Sequence, residues 1–234
     1  MSEEETHQEP IFSLGPSAVK ELLGRERLAL MLTVLLVELM IFFVATSVPM
    51  GTATQQALQQ EANSVKEVSN GLTPTGELVY IFTHNAAIAF GEMVPVIGGL
   101  LWVFSIYVTG QIFQVVALSY GVPGALYGLL LLVFYPFAIV ELSAYAVAVN
   151  SGVMLIVAWR RRRLRSETRV FALEVGIVAA LLLVAASMET ITLLNQDVGI
   201  ALWIPTGLTI AALALVSHRV QSKPYLGPTR ETAS

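Results

Sequence analysis

Long apolar runs dominate this chain, and short polar stretches separate them. The first run, Leu28–Val48, is about 21 residues long, which is enough to cross a hydrocarbon core of about 30 Å. The block 77–158 is apolar almost throughout and contains no Lys or Arg. Such runs are typical of helices that cross a lipid bilayer, because a helix satisfies all of its backbone polar groups internally.

Gly, Pro and polar residues divide the apolar runs into separate predicted helices. The Gly98-Gly99 pair and the SYGVPG segment at 119–124 predict turns. Ala125–Tyr135 is too short to span and precedes Pro136, which indicates a half-helix that either re-enters the membrane or lies at the interface. We therefore expect an all-α, polytopic transmembrane helical bundle with about six spans plus this half-helix. The predicted spans are Leu28–Val48, Leu78–Ile97, Leu100–Ser119, Phe137–Trp159, Val170–Leu194 and Val198–Val216.

These helices form one predicted membrane domain, 27–218, between two polar ends. Residues 1–26 are predicted to be a cytoplasmic acidic tail with a short amphipathic helix, and residues 219–234 a second cytoplasmic tail. The segment 50–76 is the largest polar loop and is predicted to be external, with a short helix at its centre. The segment 160–169 is predicted to be a basic cytoplasmic loop.

Basic residues test this division of the chain. Of the 13 Lys and Arg residues, 12 fall on one predicted face of the membrane, and only Lys66 falls on the other. Basic residues favour the cytoplasmic side, so we expect a multi-pass protein of the cell membrane with both termini cytoplasmic.

An arginine run follows one predicted span directly. A nucleic-acid patch is one interpretation of it, but this position favours a topology anchor in contact with anionic lipid, and no nucleic-acid partner is expected. The predicted lipid contacts are Arg160, Arg161, Arg162, Arg163 and Arg165.

Composition agrees with a membrane protein and removes several enzyme classes. The chain is 55% apolar and only 13% charged, with a mean hydropathy of +0.71, whereas soluble domains are roughly 25% charged. It has no Cys, and Asp197 is its single Asp, which excludes thiolate chemistry and a two-Asp intramembrane protease. It also lacks HExxH, G-x-S-x-G and Walker motifs. No enzyme activity, metal site or cofactor is predicted.

Several carboxyl groups fall inside the predicted spans, which contain no Lys or Arg. An ionised carboxylate at mid-membrane costs at least about 2.5–3.5 kcal/mol, so these groups must be protonated, hydrogen-bonded, exposed to water or bound to a cation. They are Glu38, Glu92, Glu141, Glu174 and Glu189. One interpretation is a proton or cation path through the bundle. The other is hydrogen bonding between helices that fixes their packing.

A polar pair on the second predicted span joins this set. Asn85 and Glu92 are seven residues apart and therefore share a helix face, and His84 precedes Asn85. The candidate intramembrane polar site consists of Glu38, His84, Asn85, Glu92, Glu141 and Glu189.

Small residues are frequent in the central block. Glycine lets helix backbones approach closely in lipid, so a packing role is expected. Interruptions such as Gly98-Gly99 are also typical of the broken helices of transporters. The predicted helix-packing glycines are Gly91, Gly98, Gly99, Gly110 and Gly152.

Three short motifs in residues 75–158 resemble a known membrane family. A His-Asn pair opens the apolar segment Thr83–Gly91, a polar-Gly step lies at Val108–Gln111, and Glu141 follows Pro136 by five residues, with Gly152 further on. This pattern resembles the stage II sporulation protein M family, although Phe137-Ala138 stands where that family often has His-Gly.

The resemblance implies a polytopic membrane component without catalytic activity of its own. Members of that family are similar to scaffolds that hold other enzymes at a membrane. We therefore expect a scaffold or permease-like subunit of a larger complex, with the bilayer, other membrane subunits such as an ATPase or hydrolase, or a second copy of the chain as partners. The alternative is a secondary transporter or ion-coupled channel that uses the intramembrane carboxyls.

Overall fold

The computed structural model describes residues 22–195 and 197–222, and within these residues the fold is all-helical, without strands. The predicted features of residues 1–21 and 223–234 lie outside the described part of the chain. The helices are α1 (Arg25–Ala45), α2 (Thr52–Asn70), α3 (Pro74–Glu92), α4 (Ile97–Ser119), α5 (Gly124–Phe134), α6 (Pro136–Arg160), α7 (Leu164–Leu194), α8 (Val198–Ala201) and α9 (Trp203–Ser222).

Four helices in the described part are long and apolar enough to cross a membrane. They are α1, α4, α6 and α7, and α5 and the segment Val198–Ala211 are shorter apolar helices. Helix α3 occupies the second predicted span, but its 19 residues include His84, Asn85 and two glutamates, and it is not among these four. The chain is therefore a membrane-type helical protein.

Helix α6 lies at the centre of the bundle. It packs most extensively on α7, and α1, α3, α4 and α5 also contact it. Every residue from 144 to 152 is buried, so this part of α6 has neighbours on all sides. Four of these nine residues are Ala or Gly, which lets the surrounding helices approach its backbone.

Apolar side chains cover the outside of the bundle. Leu36 is 67% exposed, Leu100 is 74% exposed and Phe104 is 65% exposed. Large apolar residues exposed on helices of membrane length are what lipid-facing surfaces require, whereas soluble proteins rarely carry such continuous patches.

The turn between α3 and α4 lies earlier than predicted. Helix α3 ends at Glu92, and residues 93–96 form the turn, which contains Pro95 and ends at Val96 with φ +70°. Gly98 and Gly99 are inside α4, so the prediction of a turn there is wrong. Gly98 has a different role, because a Cβ on it would lie 2.0 Å from the backbone oxygen of Glu92.

Other elements differ from expectation at their ends. The predicted short helix of the external loop is α2, and the predicted half-helix is α5, shifted by one residue. The prediction of a loop over 160–169 is wrong for most of that segment, because α7 begins at Leu164 and leaves only 161–163 as a turn. The last predicted span is broken at Leu202, between α8 and α9.

Two adjacent glycines give a matched test of this packing. Gly98→Ala places a methyl group against the α3 carbonyl, and overpacking of this kind costs about 1–3 kcal/mol, so the unfolding temperature in detergent is expected to fall. Gly99→Ala is the control, because nothing lies within 4 Å of its Cβ position, and this change is expected to be neutral or to stabilise the helix by up to about 1 kcal/mol. Equal unfolding temperatures for the two variants would contradict this packing.

Candidate intramembrane polar site

A buried arginine joins α1 to α7 at one end of the bundle. Arg27 donates from Nη1 to Glu174 Oε1 at 2.6 Å, and from Nη2 to Glu167 Oε1. All three side chains are buried, and Glu174 is 1% exposed. We call this end, where α1 begins, α6 ends and α7 begins, the basic end.

This contact corrects the expectation that Glu174 has no cation nearby. Arg27 lies one residue before the predicted span Leu28–Val48, and the sequence analysis counted it among the basic residues of the predicted cytoplasmic face. Its long side chain instead reaches inward between the two helices. The second oxygen of Glu174 has no hydrogen-bond partner within the described residues, and Ser151 of α6 lies close enough to interact with this carboxyl.

Three carboxyls from different helices meet in the centre of the bundle. Glu38 of α1, Glu92 of α3 and Glu141 of α6 are close enough to interact electrostatically. Glu38 is fully buried, and neither of its oxygens has a hydrogen bond within the described part of the chain. The Trp102 indole N–H lies beside Glu38 but outside hydrogen-bond geometry. The centre therefore holds carboxyl groups that no cation of residues 22–195 or 197–222 compensates.

Hydroxyl groups surround these central carboxyls. Ser105 donates to Glu92 Oε1 at 2.8 Å, and the Tyr145 hydroxyl donates to Glu141 Oε1 at 3.0 Å. Tyr145 also interacts electrostatically with Glu92 and Glu38, which places its hydroxyl group among all three carboxyls. The central group is therefore a connected polar cluster made by α1, α3, α4 and α6.

Two further carboxyls continue this cluster toward the opposite end. Glu189 of α7 is close enough to interact with Glu141 and with Glu77, which lies in the first turn of α3. Glu77 accepts a hydrogen bond from Ser69 of α2. The polar groups thus reach the start of α3, where the α2 segment covers the bundle.

Together these groups form two clusters of carboxyls, one at the basic end and one that runs from the centre of the bundle to the start of α3. Glu167 and Glu189 are 22 positions apart on α7, which corresponds to about 33 Å of helix, slightly more than the hydrocarbon thickness of about 30 Å. We call this set the carboxyl series. It contains Glu167 and Glu174 at the basic end, and Glu38, Glu92, Glu141, Glu189 and Glu77 from the centre to the opposite end.

Two predicted site residues lie apart from this series. His84 is exposed on α3 and stacks on Tyr80, with 6.3 Å between ring centroids. Asn85 is partly buried on the same helix. The structure therefore brings together Glu38, Glu92, Glu141 and Glu189 of the predicted set, and it leaves His84 on the outer surface.

The predicted packing glycines do not all make close contacts. A Cβ at Gly91 would lie 2.6 Å from Leu101, and one at Gly110 would lie 2.6 Å from Ala45. At Gly152 a Cβ would lie 3.0 Å from the backbone oxygen of Met93. These glycines and Gly98 let helices touch, whereas Gly99 faces open space.

Close approach at Gly110 brings its neighbour into contact with another helix. Gln111 is buried and donates from Nε2 to the backbone oxygen of Ala45 at 2.5 Å. This carbonyl lies in the last turn of α1, where intrahelical donors are absent. The polar step at 110–111 thus joins α4 to the end of α1.

Sequence reasoning missed the groups that connect the carboxyls. Arg27, Ser105 and Tyr145 carried no signal by themselves, because each residue type is common near membrane helices. One signal was present, because Glu167 and Glu174 are seven residues apart and share a face of α7. Two carboxyls on one helix face indicate a cation on the helix opposite them. In the described part of the chain, no group of three or more His, Asp or Glu side chains is arranged to hold a metal ion.

Comparisons with protein-family models, with curated proteins and with solved structures give no match to this chain. The resemblance to the stage II sporulation protein M family therefore stays a prediction, and the chemistry of the site has to be argued from its own residues.

Removal of the buried arginine tests the ion pairs at the basic end. Arg27→Gln leaves two buried carboxyls facing each other, and loss of one partner of a buried pair costs about 3–5 kcal/mol, so the unfolding temperature in neutral detergent is expected to fall steeply. The triple variant Arg27→Gln, Glu167→Gln, Glu174→Gln is expected to recover most of the loss.

Arg25→Gln is the matched control for this experiment, because Arg25 is exposed and makes no ion pair within the described residues. An Arg27→Gln protein as stable as the control would contradict the buried ion pairs.

Proposed function

We propose that this chain is a permease-like membrane protein that carries protons across the bilayer along the carboxyl series. One observation supports the proposal above all others. Seven carboxyls are distributed over about 33 Å of a membrane-type bundle, and Glu38 lies at the centre without a compensating cation among the described residues. Intramembrane carboxyls arranged in this way are typical of proton relays in pumps and transporters.

The arrangement suits protons better than a larger cation. A cation site needs several oxygens around one point, and in the described part of the chain no group of three or more His, Asp or Glu side chains is arranged in that way. Each carboxyl can accept a proton from one side and release it to the other. The Tyr145 hydroxyl donates to Glu141 and also interacts electrostatically with Glu92 and Glu38, and it can pass a proton by exchanging donor and acceptor roles, while Ser105 hydrogen-bonds to Glu92.

The proposed topology adds two helices to the four of membrane length. In it, α3 and α9 also span, which gives six spans plus the half-helix α5. The basic end then faces the cytoplasm, because it carries the arginine run and satisfies the positive-inside rule, and both termini lie on that side. The protein has no catalytic activity of its own in this proposal.

Proton flux into proteoliposomes tests the proposed pathway. With a pH gradient and a potassium ionophore to balance charge, the purified protein is expected to acidify the lumen, as followed with a trapped pH-sensitive dye. Glu38→Gln and Glu92→Gln are expected to reduce the rate about tenfold or more, because an amide cannot take up and release the proton.

Glu61→Gln is the matched control, because Glu61 is exposed on α2 and lies outside the carboxyl series. Flux that is unchanged in both site variants would contradict the pathway. Reduced flux in the control as well as in the site variants would also contradict it.

One observation favours a second candidate function, that of a scaffold or subunit in a larger complex. His84 is exposed on α3, about 15 Å along the helix from Pro74, and shares its helix face with the apolar residues Ala87 and Ile88. A polar ring facing lipid at this depth is unfavourable, and a partner helix that hydrogen-bonds to it would remove the cost. The resemblance to the sporulation family supports the same function.

Purification in mild detergent tests this second candidate. A stoichiometric membrane subunit, ATPase or hydrolase is expected to co-purify with the tagged protein, and His84→Leu is expected to reduce its yield several-fold. Thr33→Val, an exposed polar-to-apolar change on α1, is the control. Recovery of a homo-oligomer alone, unaffected by His84→Leu, would contradict the scaffold function.

A further inference from the structure

A pocket of about 240 Å³ opens at the basic end of the bundle. The first turn of α1, the last turns of α6 and the first turn of α7 form its walls. Its charged lining comes from Arg25, Arg27, Arg161 and Arg163, with Glu26 and Glu167 opposing them. The lining therefore carries an excess of positive charge.

Only part of that positive charge is balanced by the acidic residues. Arg27 is held by Glu167 and Glu174, and Arg161 lies 3.6 Å from Glu26 in an exposed pair. Exposed pairs of this kind contribute little and break readily. Arg25 and Arg163 make no ion pair within the described part of the chain. These two arginines are available to an anion in the pocket.

The backbone adds to the attraction for an anion. Gly24 is the N-cap of α1 and Arg163 is the N-cap of α7, and neither helix has a side-chain cap hydrogen bond. Both residues line the pocket. The free N–H groups in the first turns of two helices therefore lie beside the same cavity that the arginines line, and such groups favour phosphate.

The pocket also lies at the depth of lipid headgroups. Trp159, which precedes the arginine turn, is 69% exposed in the last turn of α6. Tryptophan at the end of an apolar helix marks the membrane–water interface. A phospholipid whose phosphate group entered the pocket could keep its acyl chains along the apolar outer surface of the bundle.

We propose that this pocket binds a phosphate group, with Arg25 and Arg163 as its main ligands and the headgroup of an anionic phospholipid as its source. The site goes beyond the diffuse lipid contact that the arginine run predicts, because Arg160, Arg162 and Arg165 do not line the pocket. Neither arginine belongs to the carboxyl series, although Glu167 of that series also lines the pocket.

Lipid retention measured by native mass spectrometry tests the site. The protein is released from nanodiscs that contain phosphatidylcholine with a minor share of phosphatidylglycerol, and bound lipids are counted. The wild type is expected to retain phosphatidylglycerol preferentially. Arg25→Gln and Arg163→Gln are each expected to lower its retention about fivefold, the effect of about one basic residue at a membrane surface.

Arg165→Gln removes the same charge beside the pocket and is expected to keep most of the retention. A second arm adds inorganic phosphate in neutral detergent and measures the unfolding temperature. A rise in the wild type that is absent from Arg163→Gln supports the same pocket with a soluble phosphate compound as the source. Equal loss of lipid in all three variants, or no preference and no rise in the wild type, would overturn the proposal.

Discussion

The cost of a buried charge is the constraint on which this structure depends. Seven carboxyls lie along the bundle, and within the described residues only Arg27 forms a buried ion pair with any of them. Toward the other end, neutral hydrogen-bond donors take the place of cations. Ser105 donates to Glu92, and Tyr145 donates to Glu141. Glu38 makes no ion pair or hydrogen bond to any described residue, so its burial is unfavourable. Natural membrane proteins retain such groups mainly where function needs them.

Close backbone packing keeps these groups in register. The end of α3, which carries Glu92, rests against Gly98 of α4 at a distance that leaves no room for a Cβ, and it lies close enough to Gly152 of α6 that a Cβ there would be tight. The central segment of α6 is buried on all sides and carries Tyr145 and Ser151 within it. Small residues thus position the hydroxyl and carboxyl groups, and packing and polar chemistry act on the same segments.

The sequence predicted the helical membrane class and most helix positions, because apolar length is a strong signal. It predicted less well where helices end. Helix α3 ends at Glu92, before the turn that contains Pro95. Gly98 contacts the backbone of Glu92, and nothing in the local sequence indicates that contact. The carboxyls of the site could be predicted, because they are polar residues within long apolar runs. Arg27 was not recognised as part of the site, because a basic residue at the start of a span also fits the positive-inside rule.

The most direct test of the central claim is the reversal potential of the current that the purified protein carries across a planar bilayer. With a tenfold proton gradient and identical salt on both sides, a proton pathway predicts that the current reverses at a potential of about 59 mV, the value for a singly charged ion. The sign should invert when the gradient is inverted. A current that reverses near zero, or that follows a gradient of sodium or potassium instead, would contradict a proton pathway along the carboxyl series.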